Sequence, residues 1–222
     1  YGGAIYWNGA NGSIISSNFK NNSADHGAAI FCIGANDTLS SSNFSYNSAN
    51  FGVVYWPGAN GTLMGCNFIN NFASNWGGAV YWNGANGNLS DSNFINNTAN
   101  NGGAVYWNKN DGILTNSIFI KNKVNTHGGA VYWAGADGTL TDCDFSSNSA
   151  DHGSAVRWSG INGTLSSSIF SYNSANFGGV YWDGANGRLI DSNFTNNTAK
   201  NWGAGVYWNI NNGRLINSTF NR

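Results

Sequence analysis

Large apolar residues recur at fixed positions along an otherwise polar chain of 222 residues. A Trp, replaced once by Cys32, returns every 24 to 26 residues from Trp7 to Trp208, and a Phe always follows exactly twelve residues later. Leu or Ile stands seven residues after each Trp position. Because the twelve-residue interval never varies, the pattern predicts nine structural repeats, here called coils, of about 25 residues in one register.

The runs between the turns favour strands over helices. β-Branched and aromatic segments such as "AVYW" alternate with "GANG" segments, and helix-forming residues never cluster at helical spacing. A propeller blade needs about 40 residues, which is longer than this period. The sequence therefore predicts an all-β fold: a single-stranded parallel β-helix, or β-solenoid, in which residues 1–222 form one continuous rod. Nine coils rising about 4.8 Å each give a length of roughly 40 Å.

Each column of the repeat has a predicted place in the coil. Strand alternation places Val105 and Trp107 inward and Tyr106 outward, and Asn-Gly or Asp-Gly pairs such as Asn60-Gly61 suit turns with positive φ. The Phe column should form an internal stack: Phe19, Phe44, Phe68, Phe94, Phe119, Phe145, Phe170, Phe194 and Phe220. The Asn column three residues later should form a hydrogen-bonded ladder: Asn22, Asn47, Asn71, Asn97, Asn122, Asn148, Asn173 and Asn197.

Composition excludes several classes of protein. The formal net charge of −1 provides no basic face for nucleic acid. The chain contains 41 Asn and 31 Gly, a composition typical of disorder, but its 33 aromatic residues favour a folded core. No apolar run reaches the length of a membrane span or of a signal-peptide core, so we expect this stretch to be a portion of something longer. Either it is cut from a longer rod, or such units stack end to end through uncapped coils.

Two outward columns make candidate ligand-facing aromatics. The first is Tyr6, Phe31, Tyr55, Tyr81, Tyr106, Tyr132, Tyr181 and Tyr207, with Arg157 in the seventh coil. The second, near the start of each coil, varies: Tyr1, His26, Phe51, Trp76, Asn101, His127, His152, Phe177 and Trp202. Three identical stretches also recur at a shift of 126 residues, which indicates duplication of a five-coil block. Aromatic rings in a line suit stacking on polysaccharide, or they cover the rod or contact a neighbouring chain.

Acidic and histidine pairs are the candidates for chemistry. Asp142 and Asp144 are predicted to share one strand and one side, which makes them the best acidic pair for a polysaccharide-cleaving enzyme; solvent-facing substitution is the alternative. Asp111 and Asp137 stack in neighbouring turns, either as a shared cation site or as ordinary turn residues. His127 and His152 occupy adjacent coils and could pair on a metal or simply pack. Overall we expect no catalytic residue, no metal and no cofactor.

The remaining candidates have structural explanations. Cys32, Cys66 and Cys143 do not make a disulfide framework or a zinc knuckle, and we interpret them as small buried side chains. Several N-x-S/T sequons occur, and those at the turn residues Asn11, Asn60 and Asn162 are exposed enough to be glycosylated. Asp91 and Asp191 share a column with Asp142 in alternate coils, too far apart to act together.

The motif "GGA[IV]" followed by "FxxN", here "GGAVYW…FINNTA" at 77–99, resembles a known family of repeats. It is similar to surface-exposed right-handed parallel β-helices, namely the adhesin-like proteins of methanogenic archaea and the chlamydial polymorphic outer membrane proteins. The resemblance implies a pectin-lyase-like fold, a right-handed coil and an extracellular or cell-surface setting. The motif alone is short, but it returns in register along the whole chain.

We therefore expect a structural or adhesive rod of a cell surface or extracellular fibre, which displays an aromatic and Asn-rich face. Its expected partners are other copies of itself, other surface components or polysaccharide. A carbohydrate-binding module is the alternative function, and a polysaccharide lyase or hydrolase is a third.

Overall fold

The computed structural model describes residues 1–222 and contains no helix; all 34 strands are short and pair in parallel. We name the four faces of the solenoid by the residue that each turns inward. The Trp sheet has nine strands: Ile5–Trp7, Ile30–Cys32, Val54–Trp56, Val80–Trp82, Val105–Trp107, Val131–Trp133, Val156–Trp158, Val180–Trp182 and Val206–Trp208. The Leu sheet has nine: Ser13–Ile15, Thr38–Ser40, Thr62–Met64, Asn88–Ser90, Ile113–Thr115, Thr139–Thr141, Thr164–Ser166, Arg188–Ile190 and Arg214–Ile216.

The other two faces follow in each coil. The Phe sheet has nine strands: Asn18–Lys20, Asn43–Ser45, Asn67–Ile69, Asn93–Ile95, Ile118–Ile120, Asp144–Ser146, Ile169–Ser171, Asn193–Thr195 and Thr219–Asn221. The Ala sheet has a five-stranded and a two-stranded part: Ser23–His26, Ser48–Phe51, Phe72–Trp76, Thr98–Asn101 and Lys123–His127, then Ser174–Phe177 and Thr198–Trp202. Isolated bridges through Ser149 and His152 join the two parts. The predicted all-β parallel solenoid of nine coils is confirmed.

Each strand pairs with the equivalent strand one coil away, so residues of the same column lie directly above one another. Val80 pairs with Val105, Tyr81 with Tyr106 and Trp82 with Trp107. The register shifts only in the Ala sheet, where the coils differ in length; Phe51 still pairs with Trp76 there. The variable spacing seen in the sequence between each Phe and the next Trp is therefore absorbed on this one face.

The core consists of continuous stacks of identical side chains. Neighbouring Phe rings lie 4.5 to 5.0 Å apart between centroids, with interplanar angles of 2° to 10°. The indoles of Trp82 and Trp107 stack at 4.8 Å and 2°. Leu89 and Leu114 are also fully buried. The predicted Phe stack and the inward orientation of Val and Trp are confirmed.

The Asn ladder forms as predicted. The Nδ2 of Asn122 donates to the Oδ1 of Asn148 at 3.1 Å, and its own Oδ1 accepts from the Nδ2 and backbone N of Asn97. The second amide hydrogen of Asn122 donates to the carbonyl of Phe94 at 2.9 Å. Because every donor and acceptor of this buried carboxamide has a partner, the ladder offsets the cost of burying it.

The chain changes direction at four corners of each complete coil, each with a residue in the left-handed conformation, and the sequence predicted only one of these corners. The Asn-Gly turn residues have positive φ as predicted, for example 57° at Asn60. Three further corners behave alike: Asp142 at 54° between the Leu and Phe sheets, Asn96 at 54° before the Ala sheet and Gly77 at 63° before the Trp sheet. A Cβ at Gly77 would stand 2.2 Å from the carbonyl oxygen of Val80, so this corner needs glycine.

A second kind of glycine makes room for each indole. A Cβ on Gly112 would lie 2.2 Å from the Nε1 of Trp107, and the same contact recurs at the other Trp residues. In the second coil both residues of this Trp–Gly pair differ: Cys32 replaces the Trp and Asp37 replaces the Gly. The buried Asp37 carboxyl then accepts from the Cys32 Sγ at 3.1 Å and from the backbone N of Gly12 at 2.7 Å. The carboxyl thus occupies the side of the stack where the indole would lie.

Candidate functional site

The outer surface between the Ala and Trp sheets carries a double row of aromatic side chains, which we call the aromatic band. The middle residue of each Trp-sheet strand points outward, and the last residue of each Ala-sheet strand stands beside it, just before the left-handed glycine. Tyr106 and Tyr132 stack at 4.8 Å and 8°. Trp76 lies at 5.4 Å from Tyr106 and at 5.6 Å from Tyr81. The two predicted columns therefore form one surface feature.

The band is more deeply packed than the sequence suggested. Phe31, Tyr81 and Tyr181 are only 7%, 5% and 8% exposed, because rings of the second column lie over them. The prediction that these three rings face a ligand is therefore wrong. Burial raises the pKa of the Tyr106 hydroxyl to about 12 and also raises the pKa of Tyr55. The rings that remain open in the middle of the band belong mainly to the second column.

Arg157 stands in the Tyr column without disrupting it. Its guanidinium carbon lies 4.5 Å from the ring centroid of Tyr181 and 5.8 Å from that of Tyr132. One guanidinium nitrogen donates to the Asp183 carboxylate at 2.5 Å. Cation–π contact and the ion pair together explain why a charge fits this half-buried position.

The two neighbouring histidines meet but gather no third ligand. The rings of His127 and His152 are 5.0 Å apart, and His152 stacks on Phe177 at 4.7 Å. Burial lowers the pKa of His127, and the nearby charges of Arg157 and His152 lower it further. No group of three or more His, Cys or Asp side chains lies close enough to hold a metal ion. The arrangement is typical of packing within the band.

The acidic pair is arranged differently from the prediction. Asp142 is the left-handed corner residue and Asp144 begins the next strand, so the expectation that both lie on one strand is wrong. Both still line one open groove of 520 Å³ between the Leu and Phe sheets, together with Asp91. Burial raises the pKa of Asp144, whose Oδ1 has no hydrogen-bond partner.

The other candidates fill structural positions. Asp111 and Asp137 have φ of 59° and 57°, as expected for turn residues, and Asp137 accepts from the Nδ2 of Asn162 at 2.9 Å. Asp191 likewise is a left-handed corner residue. The sequon residues Asn11, Asn60 and Asn162 are all exposed. Their glycosylation stays a prediction.

All three cysteines are buried and free, as the sequence predicted. Cys66 and Cys143 stand in the Ser column two residues before each Phe, where the Sγ contacts the carbonyl oxygen two residues earlier. Burial raises the pKa of Cys66 to about 11 and that of Cys143 to about 12. The thiols therefore stay protonated at neutral pH and act as apolar side chains.

Sequence reasoning missed a groove on the outer face of the Ala sheet. It has a volume of 320 Å³ and includes Asp25, Asn50, Phe72 and Ser74 in its lining. The Asn50 amide donates to Asp25 and the Ser74 hydroxyl donates to Asn50. The available signal was the 126-residue repetition, since two of its identical stretches, "ADHG" and "SYNSANFG", contribute Asp25 and Asn50.

Comparison with known families gives one match. The model of the Chlamydia polymorphic membrane protein repeat matches residues 65–81 and 91–106, which lie in the third to fifth coils. No curated protein and no solved structure matches the chain significantly. The match supports the predicted resemblance to this kind of repeat, whereas an archaeal origin is not shown. The structure contains no helix that is long and apolar enough to cross a membrane.

Proposed function

We propose that the chain is an adhesive rod of a cell surface, in which the solenoid is a rigid scaffold and the outer faces make contact with other surface components. The match of two stretches to a membrane-protein repeat is the observation that carries this proposal. The stacked core and the Asn ladder support it, because they recur in every coil and leave the outer side chains free to vary.

Labelling of intact cells tests the proposal. Antibody raised against the folded chain should label cells that make the protein without permeabilisation, and Fab fragments of it should reduce their attachment to surfaces. Labelling that appears only after permeabilisation would contradict the proposed location. A Fab that labels intact cells but leaves attachment unchanged would contradict the adhesive role and keep the surface location.

Cleavage of polysaccharide is the alternative with less support. Asp144 favours it, because a carboxyl group whose pKa is raised by burial suits a general acid. Its partner Asp142 sits at an exposed corner in the left-handed conformation that Asn, Ser and Gly adopt in other coils, which is a sufficient explanation for it. Incubation with pectin and other uronic-acid polymers should yield no new reducing ends or unsaturated products. Release of either product, and its loss in Asp144→Asn, would establish an enzyme instead.

Self-association of the rods remains a prediction. Electron micrographs of the purified chain would show filaments with a period near 40 Å if units stack coaxially, since nine coils rise about 4.8 Å each. Monodisperse single rods would count against stacking. The adhesive role does not depend on this outcome.

A further inference from the structure

The three stretches that recur at a shift of 126 residues all contribute to one part of the surface. "ADHG" at 24–27 and 150–153, "SYNSANFG" at 45–52 and 171–178, and "NWG" at 75–77 and 201–203 occupy three successive coils in each copy. They supply two matching sets of side chains. Cluster one is Asp25, His26, Asn50, Phe51 and Trp76; cluster two is Asp151, His152, Asn176, Phe177 and Trp202.

The ring geometry of cluster one is reproduced in cluster two. The His and Phe rings lie 4.5 Å apart in the first and 4.7 Å apart in the second. The Phe and Trp rings lie 5.3 and 5.4 Å apart, at 65° and 57°. Each His also meets the edge of a Tyr in the next coil, at 5.1 and 5.0 Å. The duplication thus preserves a three-dimensional arrangement as well as a sequence.

The polar groups beside the rings are duplicated too. The His Nδ1 lies 2.6 Å from the Asp carboxylate in cluster one and 2.9 Å from it in cluster two. In both, the Asn amide of the next coil donates to the other oxygen of that carboxylate. The Asn50 hydrogen bond lowers the pKa of Asp25, so this exposed group is a carboxylate that accepts hydrogen bonds at neutral pH.

An exposed tyrosine accompanies each cluster in an unfavourable backbone conformation. Tyr46 and Tyr172 have φ of 56° and 55° and are 56% and 62% exposed. Asn occupies this corner in most other coils and tolerates the left-handed region, whereas a bulky residue there is strained. The two tyrosines precede Asn50 and Asn176 by four residues on the same coils. An exposed ring retained despite this strain in both copies indicates contact with a ligand outside the chain.

The chemistry of the clusters selects the ligand class. Exposed rings provide flat apolar faces, and the row formed by Asp25, Asn50 and Ser74 provides hydrogen-bond acceptors and donors along the adjoining groove. Each cluster carries a carboxylate, Asp25 or Asp151, which disfavours an acidic polymer. The ammonium group of Lys20 lies 5.9 Å from the centroid of the Tyr46 ring, where it covers the tyrosine. A ligand with apolar ring faces and many neutral hydroxyl groups fits this surface.

We propose that the two clusters, each with its tyrosine, are corresponding subsites for a neutral polysaccharide, which differ in that Lys200 beside cluster two takes the place of Ser74 beside cluster one. Five coils separate them, which corresponds to about 24 Å along the rod. One chain therefore holds a long glycan at two points, and the second contact is intramolecular, which raises the affinity for polymer above that of either subsite. The proposal deepens the adhesive function proposed above by naming its ligand, and it is tested separately from cell-surface location.

Affinity electrophoresis of the purified chain tests the ligand class. Native gels containing mannan, xylan or a soluble β-glucan should include at least one that retards the chain, and a gel containing polygalacturonate should retard it less. A trisaccharide of the retarding polymer, which is too short to reach both clusters, should then titrate two sites per chain by calorimetry. Trp76→Ala or Trp202→Ala should leave one trisaccharide site and weaken binding to the polymer by about tenfold or more.

The pair of changes Tyr46→Asn and Tyr172→Asn separates binding from folding. Because Asn is the common residue of this corner, the double variant should melt at a higher temperature than the parent, yet its binding to the polymer should fall by about tenfold or more. Ile113→Ala, an exposed apolar residue on the Leu sheet, is the control and should leave binding unchanged.

Four results would overturn the proposal: no retardation by any neutral polymer, retardation by polygalacturonate alone, a single trisaccharide site in the parent chain, or equal binding by the tyrosine double variant. Intact cells labelled by antibody together with absent glycan binding would retain the surface rod and reject its ligand. Glycan binding by a protein found only inside cells would retain the proposed ligand and reject the surface location.

Discussion

The interior and the outer surface of the solenoid differ in how strictly they require the same residue in successive coils. Inside, each of the nine Phe rings lies within 5.0 Å of its neighbour in the stack, and the ladder Asn is buried in six successive coils. Outside, the aromatic band accepts Tyr, Phe, His, Trp, Asn and one Arg in equivalent positions. Identical neighbours are required where a side chain must fill a fixed volume or complete a ladder. Where one edge of the ring faces water, many residues satisfy the same position.

The largest effect should come from opening the internal stack. Phe119→Ala removes a fully buried ring that contacts Phe94 at 4.8 Å and Phe145 at 4.7 Å, and it should lower the free energy of unfolding by about 3–5 kcal/mol. Urea unfolding followed by circular dichroism measures the change. Tyr132→Ala, in the half-buried outer band, is the matched comparison and should cost clearly less. Equal losses would contradict the distinction between the two surfaces.

The second coil offers a test of how indole and glycine depend on each other. Cys32→Trp should cost about 1–3 kcal/mol, because the Asp37 carboxyl occupies the space that the indole needs. Adding Asp37→Gly should reverse the loss and make the double variant more stable than either single variant. Denaturant unfolding of all four chains forms a double-mutant cycle. Additive single effects would show that the two replacements are independent.

A buried and an exposed ladder of asparagines can be compared directly. Asn122→Ala removes one hydrogen-bond partner from the side chain of Asn97 and one from that of Asn148 inside the solenoid, and it should cost about 1–3 kcal/mol. Asn67→Ala interrupts an outer ladder, in which Asn67 donates to Asn43 at 2.9 Å, and should cost less than about 0.5 kcal/mol. Thermal melting of both variants provides the comparison. Similar shifts in Tm would indicate that water does not replace the outer hydrogen bonds.

High pH should weaken the core gradually. The folded pKa of Cys66 is raised to about 11 and that of Cys143 to about 12, above the ordinary value of 9.0, so their contribution to stability is complete below pH 9 and is lost as pH rises toward 11 and 12. The loss should approach about 1.4 kcal/mol per pH unit for each thiol. Unfolding measured from pH 8 to pH 11 should show less pH dependence in Cys66→Ser/Cys143→Ser, since Ser is the usual residue of that column. An unchanged slope would assign the effect to Cys32 and the buried tyrosines, whose pKa values burial also raises.

Much of the fold followed from spacing. The invariant twelve residues between Trp and Phe predicted the register, and the Asn column predicted its own hydrogen bonds. The candidate site was less accessible, because exposure depends on what lies one coil away: Tyr81 points outward but is covered by its neighbours. Asp142 was assigned to a strand since its left-handed conformation leaves no clear mark in a sequence whose corner residues are Ser, Asp, Asn and Gly.

The sequence by itself determined that the chain winds into coils of about 25 residues and which side chains fill them, because a repeated period with fixed internal spacing has only one way to bury all its large residues together. Only the tertiary structure decided which outer rings stay open to solvent, and it brought Asp25, Asn50 and Trp76 from three separate coils into one cluster beside the groove. That proximity arises from the stacking of one coil on the next, a distance of a few ångströms in space across about 25 residues of chain.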